Sequence, residues 1–116
     1  MSKILLPNRG EIWLTNLNPI RGHEQAGIRP ALVVSVNMFN HGPADLVVVL
    51  PITTKDKKVP LHVKLMPSES GLKEPSFIKC EDVRSVSIKR LSNRLGNVAA
   101  KTLVVVEDKL RILMGL

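Results

Sequence analysis

Along most of the chain short β-rich apolar runs are separated by turn residues, and a helical period of three and four appears only near the C-terminus. Glu11–Leu17 (EIWLTNL) is the first predicted strand, closed by Asn18, Pro19 and Gly22, residues that favour turns. Ala31–Val36 (ALVVSV) is almost wholly apolar, which predicts a second strand buried on both faces. Leu46–Ile52 (LVVVLPI) is the third; Pro51 should fall at its end or at a bulge, because proline has no N–H for the ladder. In Leu61–Met66 the alternation sets His62 and Lys64 on one face and Leu61, Val63 and Leu65 on the other. Ser76–Glu81, Arg84–Ile88 and a short Arg90–Leu95 complete the strands. Leu103, Val106, Leu110 and Leu113 then recur at steps of three and four, which predicts an amphipathic helix over Ala99–Met114 despite the β-branched Val104–Val106. Short strands between turns, followed by one helix, define an α+β, mainly β chain folded as a small barrel or sandwich. With no repeat, low-complexity tract or linker, residues 1–116 read as a single domain.

Composition narrows the function. The 44% apolar and 23% charged residues suit a globular chain, not a disordered one. A domain this small has little surplus stability, so a dimer is expected. No apolar run approaches the length of a membrane span, and the opening MSKILLPNRG is too short and too soon broken to be a secretory signal. The expected location is the cytoplasm, with no membrane partner. Cys80 is alone, which excludes an internal disulfide and a cysteine-built zinc site. As a residue it reads better as a half-buried strand cysteine than as a catalytic thiol.

Charge points to a polyanion. The net charge is +7. Residues 1–50 hold four Lys/Arg against three Asp/Glu, and residues 51–116 thirteen against seven, so nearly all the excess lies in the second part. That suits a nucleic acid or an acidic protein, although a solvated basic face would have the same composition. Trp13, Phe39 and Phe77 are the only aromatics, too few for a base-stacking platform. His23, His41 and His62 are scattered, with no HExxH, so no metal site is expected; phosphate-loop and GxSxG motifs are absent too, and no cofactor is expected.

Two segments carry candidate chemistry. In Gly22–Pro30 (GHEQAGIRP) two glycines bracket His23, Glu24 and Gln25, and Arg29 follows at the mouth of an apolar strand. Pro30 holds Arg29 extended, which fixes where a guanidinium leaves the chain. In Pro51–Lys58 (PITTKDKK) the hydroxyls of Thr53 and Thr54 end a strand beside Lys55, Lys57 and Lys58. Such hydroxyls can bond a phosphodiester, or simply cap the following turn.

Together, RGEIWL at Arg9–Leu14, L-N-P-x-x-G-H-E-Q-A-G-x-R-P at Leu17–Pro30, V-x-x-P-x-T-T at Val48–Thr54 and SFIKCEDVRS at Ser76–Ser85 resemble the MazF/PemK/Kid toxin family over almost the whole chain. The resemblance implies an SH3-like (PemK/CcdB-like) β-barrel homodimer. It implies an endoribonuclease that cuts single-stranded messenger RNA and is silenced by a cognate antitoxin with an acidic, flexible C-terminal segment. Arg29 matches the family's catalytic arginine, Thr53 its catalytic threonine and Glu24 a loop glutamate assigned to catalysis in some members. His23 and Gln25 match positions near the substrate. Where some Kid-like members have an arginine and an aspartate in the fifth strand, this chain has Lys79 and Glu81, which keeps charge but loses the guanidinium fork. Lys79, Glu81 and Arg84, with Thr54, Lys55, Lys57 and Lys58, are therefore candidate RNA contacts. A CcdB-like gyrase poison and a non-catalytic SH3-like RNA-binding module are the rival readings.

RNA carries its own nucleophile. Attack of the 2′-hydroxyl on the adjacent phosphorus needs a base for the 2′ proton, charge stabilisation for the phosphorane and protonation of the leaving 5′-oxygen. Arg29 suits the second task through charge-assisted hydrogen bonds, and its high pKa makes it a poor proton donor. Glu24 and His23 compete for the role of base, His23 having the free pKa nearer neutrality.

Overall fold

The computed structural model describes residues 6–19, 22 and 27–116. Seven strands form: β1 (Glu11–Asn16), β2 (Ile28–Val33), β3 (Leu46–Thr53), β4 (His62–Leu65), β5 (Ser76–Lys79), β6 (Arg84–Ser87) and β7 (Leu91–Asn97). Two single-turn helices, α1 (Asn37–Asn40) and α2 (Pro67–Ser70), interrupt them, and α3 (Ala100–Met114) ends the chain. Every predicted strand is present, with shifted ends. β2 starts at Ile28, so Arg29 and Pro30 are ladder residues opposite Thr15 and Leu14. It stops at Val33 because Ser35 turns aside: its hydroxyl accepts from the Val48 amide at 2.9 Å and donates to Asn40. β5 stops at Lys79, where Cys80–Asp82 tighten into a 3-10 turn.

All pairings are antiparallel, in the order β4-β5-β3-β2-β1-β7. β3 is the hub. One edge pairs with β2; the other pairs with β6 along Leu46–Val49 and then with β5 at Ile52 and Thr53. Pro51 lies in the break between β6 and β5, where a missing donor is tolerated. Because β3 divides that edge between two partners the sheet forks, and β4 and β7 remain its ends in place of a closed ring.

Alternation gives the sheet two faces. Ile12, Leu32, Leu50, Ile52, Val63, Leu65 and Ile78 build the larger core, and α3 closes over it with Leu103, Val106 and Leu110. Leu113, the fourth residue of the predicted helical stripe, runs past that core and is exposed. Trp13, Ala31, Val33, Val47, Val49 and Val86 form a second cluster on the opposite face. The first turn of α3 has no side-chain cap of its own. Glu69, from α2, substitutes: its carboxylate accepts from the Ala99 amide at 2.9 Å and from the Thr102 hydroxyl. Next to it the backbones of α2 and β7 cross so closely that a methyl on Gly96 would collide with the Ser70 carbonyl. Among the described residues no helix is long and apolar enough to cross a membrane.

Candidate active site

Arg29 and Thr53 come from neighbouring strands, each two residues beyond the last β2–β3 pair. β2 and β3 pair Val33 with Val49, Leu32 with Leu50 and Ala31 with Pro51. Continued by two residues, the same register sets Arg29 opposite Thr53. Directly opposed residues of an antiparallel pair share a face. Phe77 is the β5 partner of Thr53, and Lys64 the β4 partner of Phe77. Thr53, Phe77 and Lys64 therefore form one row across β3, β5 and β4, and the extended β2–β3 register would add Arg29 at its end. Arg29 and Lys64 are exposed, and Thr53 and Phe77 half-buried.

Local bonds prepare two of these groups. The Thr53 hydroxyl oxygen accepts from the Lys55 amide at 3.2 Å, which fixes the oxygen and leaves its proton to donate. The threonine thus caps its turn, as one sequence reading held, and still presents a donor. Arg29 lies over the neck of the β1–β2 connection, with Nε 4.0 Å from where a methyl on Gly27 would stand. That neck is closed by the Leu17 amide donating to the Gly27 carbonyl at 2.9 Å and the Gly27 amide donating to the Asn18 side chain at 3.1 Å. His23, Glu24 and Gln25 lie outside the described residues.

The remaining candidates divide. Thr54, Lys55, Lys57 and Lys58 are exposed in the β3–β4 loop. Lys58 folds back on Asp56, both its amide and its ammonium reaching the carboxylate, and these bonds hold that carboxyl below its ordinary pKa. Lys79 is instead buried, its ammonium 3.7 Å from Asp82. Arg84 binds the same carboxylate at 2.7 Å and the Leu17 carbonyl at 3.3 Å. Glu81 is exposed, and its carboxylate lies 2.8 Å from Nε2 of half-buried His62. The structure therefore separates an outer basic loop from an inner charged cluster that sequence reasoning had grouped with it. His62, Asp82 and Arg90 escaped that reasoning. Only the spacing K-x-E-D-x-R at Lys79–Arg84 hinted at an ion-pair cluster.

Cys80 is no nucleophile. Burial, reinforced by Glu81 and opposed by Lys109, pushes its thiol up to about 12, so it stays protonated at neutral pH. Among the described residues no three His, Cys, Asp or Glu side chains converge as metal ligands would.

A forked antiparallel sheet covered by a C-terminal helix, with an arginine and a threonine near one end of its central strands, defines a small, mainly β domain of barrel-like curvature that is not closed. Residues 8–114 match the model of PemK-like, MazF-like toxins of type II toxin–antitoxin systems, and the chain belongs to that family. It is 34% identical to endoribonuclease MazF9 of Mycobacterium tuberculosis, over 93% of this chain and 96% of that protein. With endoribonuclease MazF of Staphylococcus saprophyticus it shares 30% identity over 93% and 91% of the two chains. Among solved structures, MazF of Deinococcus radiodurans superposes with a TM-score of 0.86 at 31% identity, covering 97% of this chain and all of that one. MazF in a MazE–MazF crystal structure from the same organism gives 0.80 at 31% identity, over 97% and 99% of the chains.

Proposed function

We propose that this chain is the toxin of a type II pair and cleaves single-stranded RNA through the row holding Arg29 and Thr53. The observation that supports the reading is the β2–β3 register, which pairs as far as Ala31 and Pro51 and, extended by two residues, would set the Arg29 guanidinium opposite the Thr53 hydroxyl. The 2′-oxygen bonds to phosphorus, the bond to the 5′-oxygen breaks, and a 2′,3′-cyclic phosphate and a 5′-hydroxyl result. Arg29 stabilises the dianionic phosphorane through paired N–H donors. The Thr53 proton bonds a non-bridging oxygen. Glu24 or His23 takes the 2′ proton, and solvent water protonates the leaving 5′-oxygen.

Lys55, Lys57 and Lys58 extend the phosphate path beyond the reacting bond, and an acidic antitoxin segment competes for it with carboxylates in place of phosphates. Exposed Glu81 is a further candidate RNA contact, whereas Lys79 and Arg84 are turned toward Asp82. A second copy of the chain completes the toxin; exposed Val105, Ile112 and Leu113 on α3 support such an association. We read the chain as one domain acting in the cytoplasm. The family favours this over a gyrase poison.

The test is a defined RNA incubated with pure protein in excess EDTA. Cleavage should persist and leave 5′-hydroxyl ends, while DNA of the same sequence, lacking the 2′-hydroxyl, should resist. Activity lost on chelation and restored by magnesium would refute the metal-free route. Intact RNA under all conditions would refute the nuclease.

A further inference from the structure

The inner cluster is an expensive arrangement with no step of the reaction assigned to it. Asp82 faces two cations, and the side chains of Lys79, Asp82 and Arg84 are only 9%, 12% and 13% exposed. Ion pairs removed from water return little net stability, because desolvation offsets their attraction. What such a cluster does supply is geometry. Among the described residues the Arg84 fork reaches two targets: Nη2 donates to Asp82, and Nη1 to the Leu17 carbonyl. The amide of the same residue closes the β1–β2 neck on Gly27, and Arg29 lies over Gly27. A continuous set of hydrogen bonds thus runs from Asp82 through Arg84 and Leu17 to Gly27, two residues before Arg29 in the chain. Arg90 adds a second grip, donating to the Asn16 carbonyl at 3.2 Å and to that of Asn18. Two guanidiniums therefore hold three successive carbonyls at the root of the connection that carries His23, Glu24 and Gln25.

We propose that Asp82 and Arg84 are positioning residues: they fix the β1–β2 neck, and through it the placement of Arg29 against the scissile phosphate. The proposal rests on the nuclease reading of Arg29. It assigns Arg84 a task other than holding RNA, because both ends of its fork are directed into the protein. Asp82 sharpens the distinction. Electrostatics alone would make removal of its negative charge tighten RNA binding, whereas positioning makes the same change slow the chemistry.

Asp82→Asn and Arg84→Lys, made in the full chain, separate these outcomes. Each should lower kcat by about 10- to 100-fold, the usual result of displacing a reacting group by an ångström or less. KM, and binding of an RNA with a 2′-deoxy sugar at the cleavage site, should stay within about twofold of wild type, since no phosphate contact is lost. Amide exchange at Leu17 and Gly27 should quicken in both variants and remain slow in Arg29→Ala. Unchanged kcat in folded protein would overturn the proposal. So would weaker binding by Arg84→Lys with a flatter salt dependence, which would mark a direct phosphate contact. If wild-type protein leaves RNA intact, the nuclease reading fails on its own and exchange still decides: unaltered protection at Leu17 and Gly27 overturns the positioning. Should Asp82→Asn not fold, Arg84→Lys, which keeps a cation beside Asp82, carries the test.

Discussion

The two faces of the sheet are built from the same strands and serve opposite ends. On the face under α3, Ile12, Leu32, Leu50, Ile52 and Ile78 are all apolar and sealed. The other face is apolar only in its middle, at Ala31, Val33, Val47 and Val49, and its end opens into Arg29, Thr53, Phe77 and Lys64. β3 shows the division within one strand, with Leu50 and Ile52 facing α3 and Thr53 facing away. The two-residue period allows stability and chemistry to be carried by neighbouring residues without sharing a surface.

Four substitutions can break or sharpen that division. Leu50→Ala removes a fully buried side chain from the sealed face and should cost about 3–5 kcal/mol, read by denaturant unfolding. The fraction that stays folded should cut RNA at the wild-type rate; a lower rate would show that the faces are coupled. Arg29→Ala and Thr53→Ala should leave the melting curve nearly unchanged and slow cleavage by about 10²–10³ each, equal to about 2.7–4 kcal/mol of barrier. Arg29→Lys should rescue little, since an ammonium lacks the parallel donors. If both groups act on one phosphate, the double variant should be hardly worse than the weaker single. Circular dichroism and single-turnover cleavage on the same preparations decide this.

A smaller loss is expected from Glu69→Ala, which strips the borrowed cap from α3 and should cost about 1–2 kcal/mol without changing cleavage by folded protein. The smallest effect concerns acid. Burial pushes the Glu11 carboxyl up, but hydrogen bonds from the Asn8 amide, the Trp13 indole and Arg94 outweigh it and leave the pKa below its ordinary value. A lowered folded-state pKa adds stability that is present above the unfolded value of about 4.3 and is lost as pH falls through the folded one. Glu11→Gln should therefore be less sensitive than wild type to the step from neutral pH into that acid range, measured as melting temperature. Parallel curves for the two proteins would assign the acid loss to other groups.

What the sequence disclosed follows from these physical differences. Positions whose burial alternates were legible: each strand and the span of α3 could be read from periodicity, because apolar burial leaves its period in the chain. Strand ends were less so. Ile28 and Arg29 belong to β2 although both are exposed, since a ladder at an open sheet end needs backbone partners and no apolar side chains. Arg29 and Thr53 could be named from the family pattern, but their common row needed a register, a property of pairing that no single strand encodes. The same reasoning explains Lys79. Its charge suggested an RNA contact, while the burial that sets it beside Asp82 arises from the turn at Cys80–Asp82, which alternation had continued as strand to Glu81.

The pinched neck at Leu17 and Gly27 has a consequence for how this molecule can be altered. Nine residues separate the two anchor points, which bond to each other and are held to the sheet through Arg84 on the Leu17 carbonyl. When the ends are already held, closure entropy grows only slowly with length, by about 0.6 kcal/mol for each doubling. The interval can therefore be treated as an exchangeable cassette. Its length can be varied in a library while Leu17, Asn18, His23, Glu24, Gly27 and Arg29 stay as a fixed frame, so that RNA contacts change and both the reacting groups and the fold are kept.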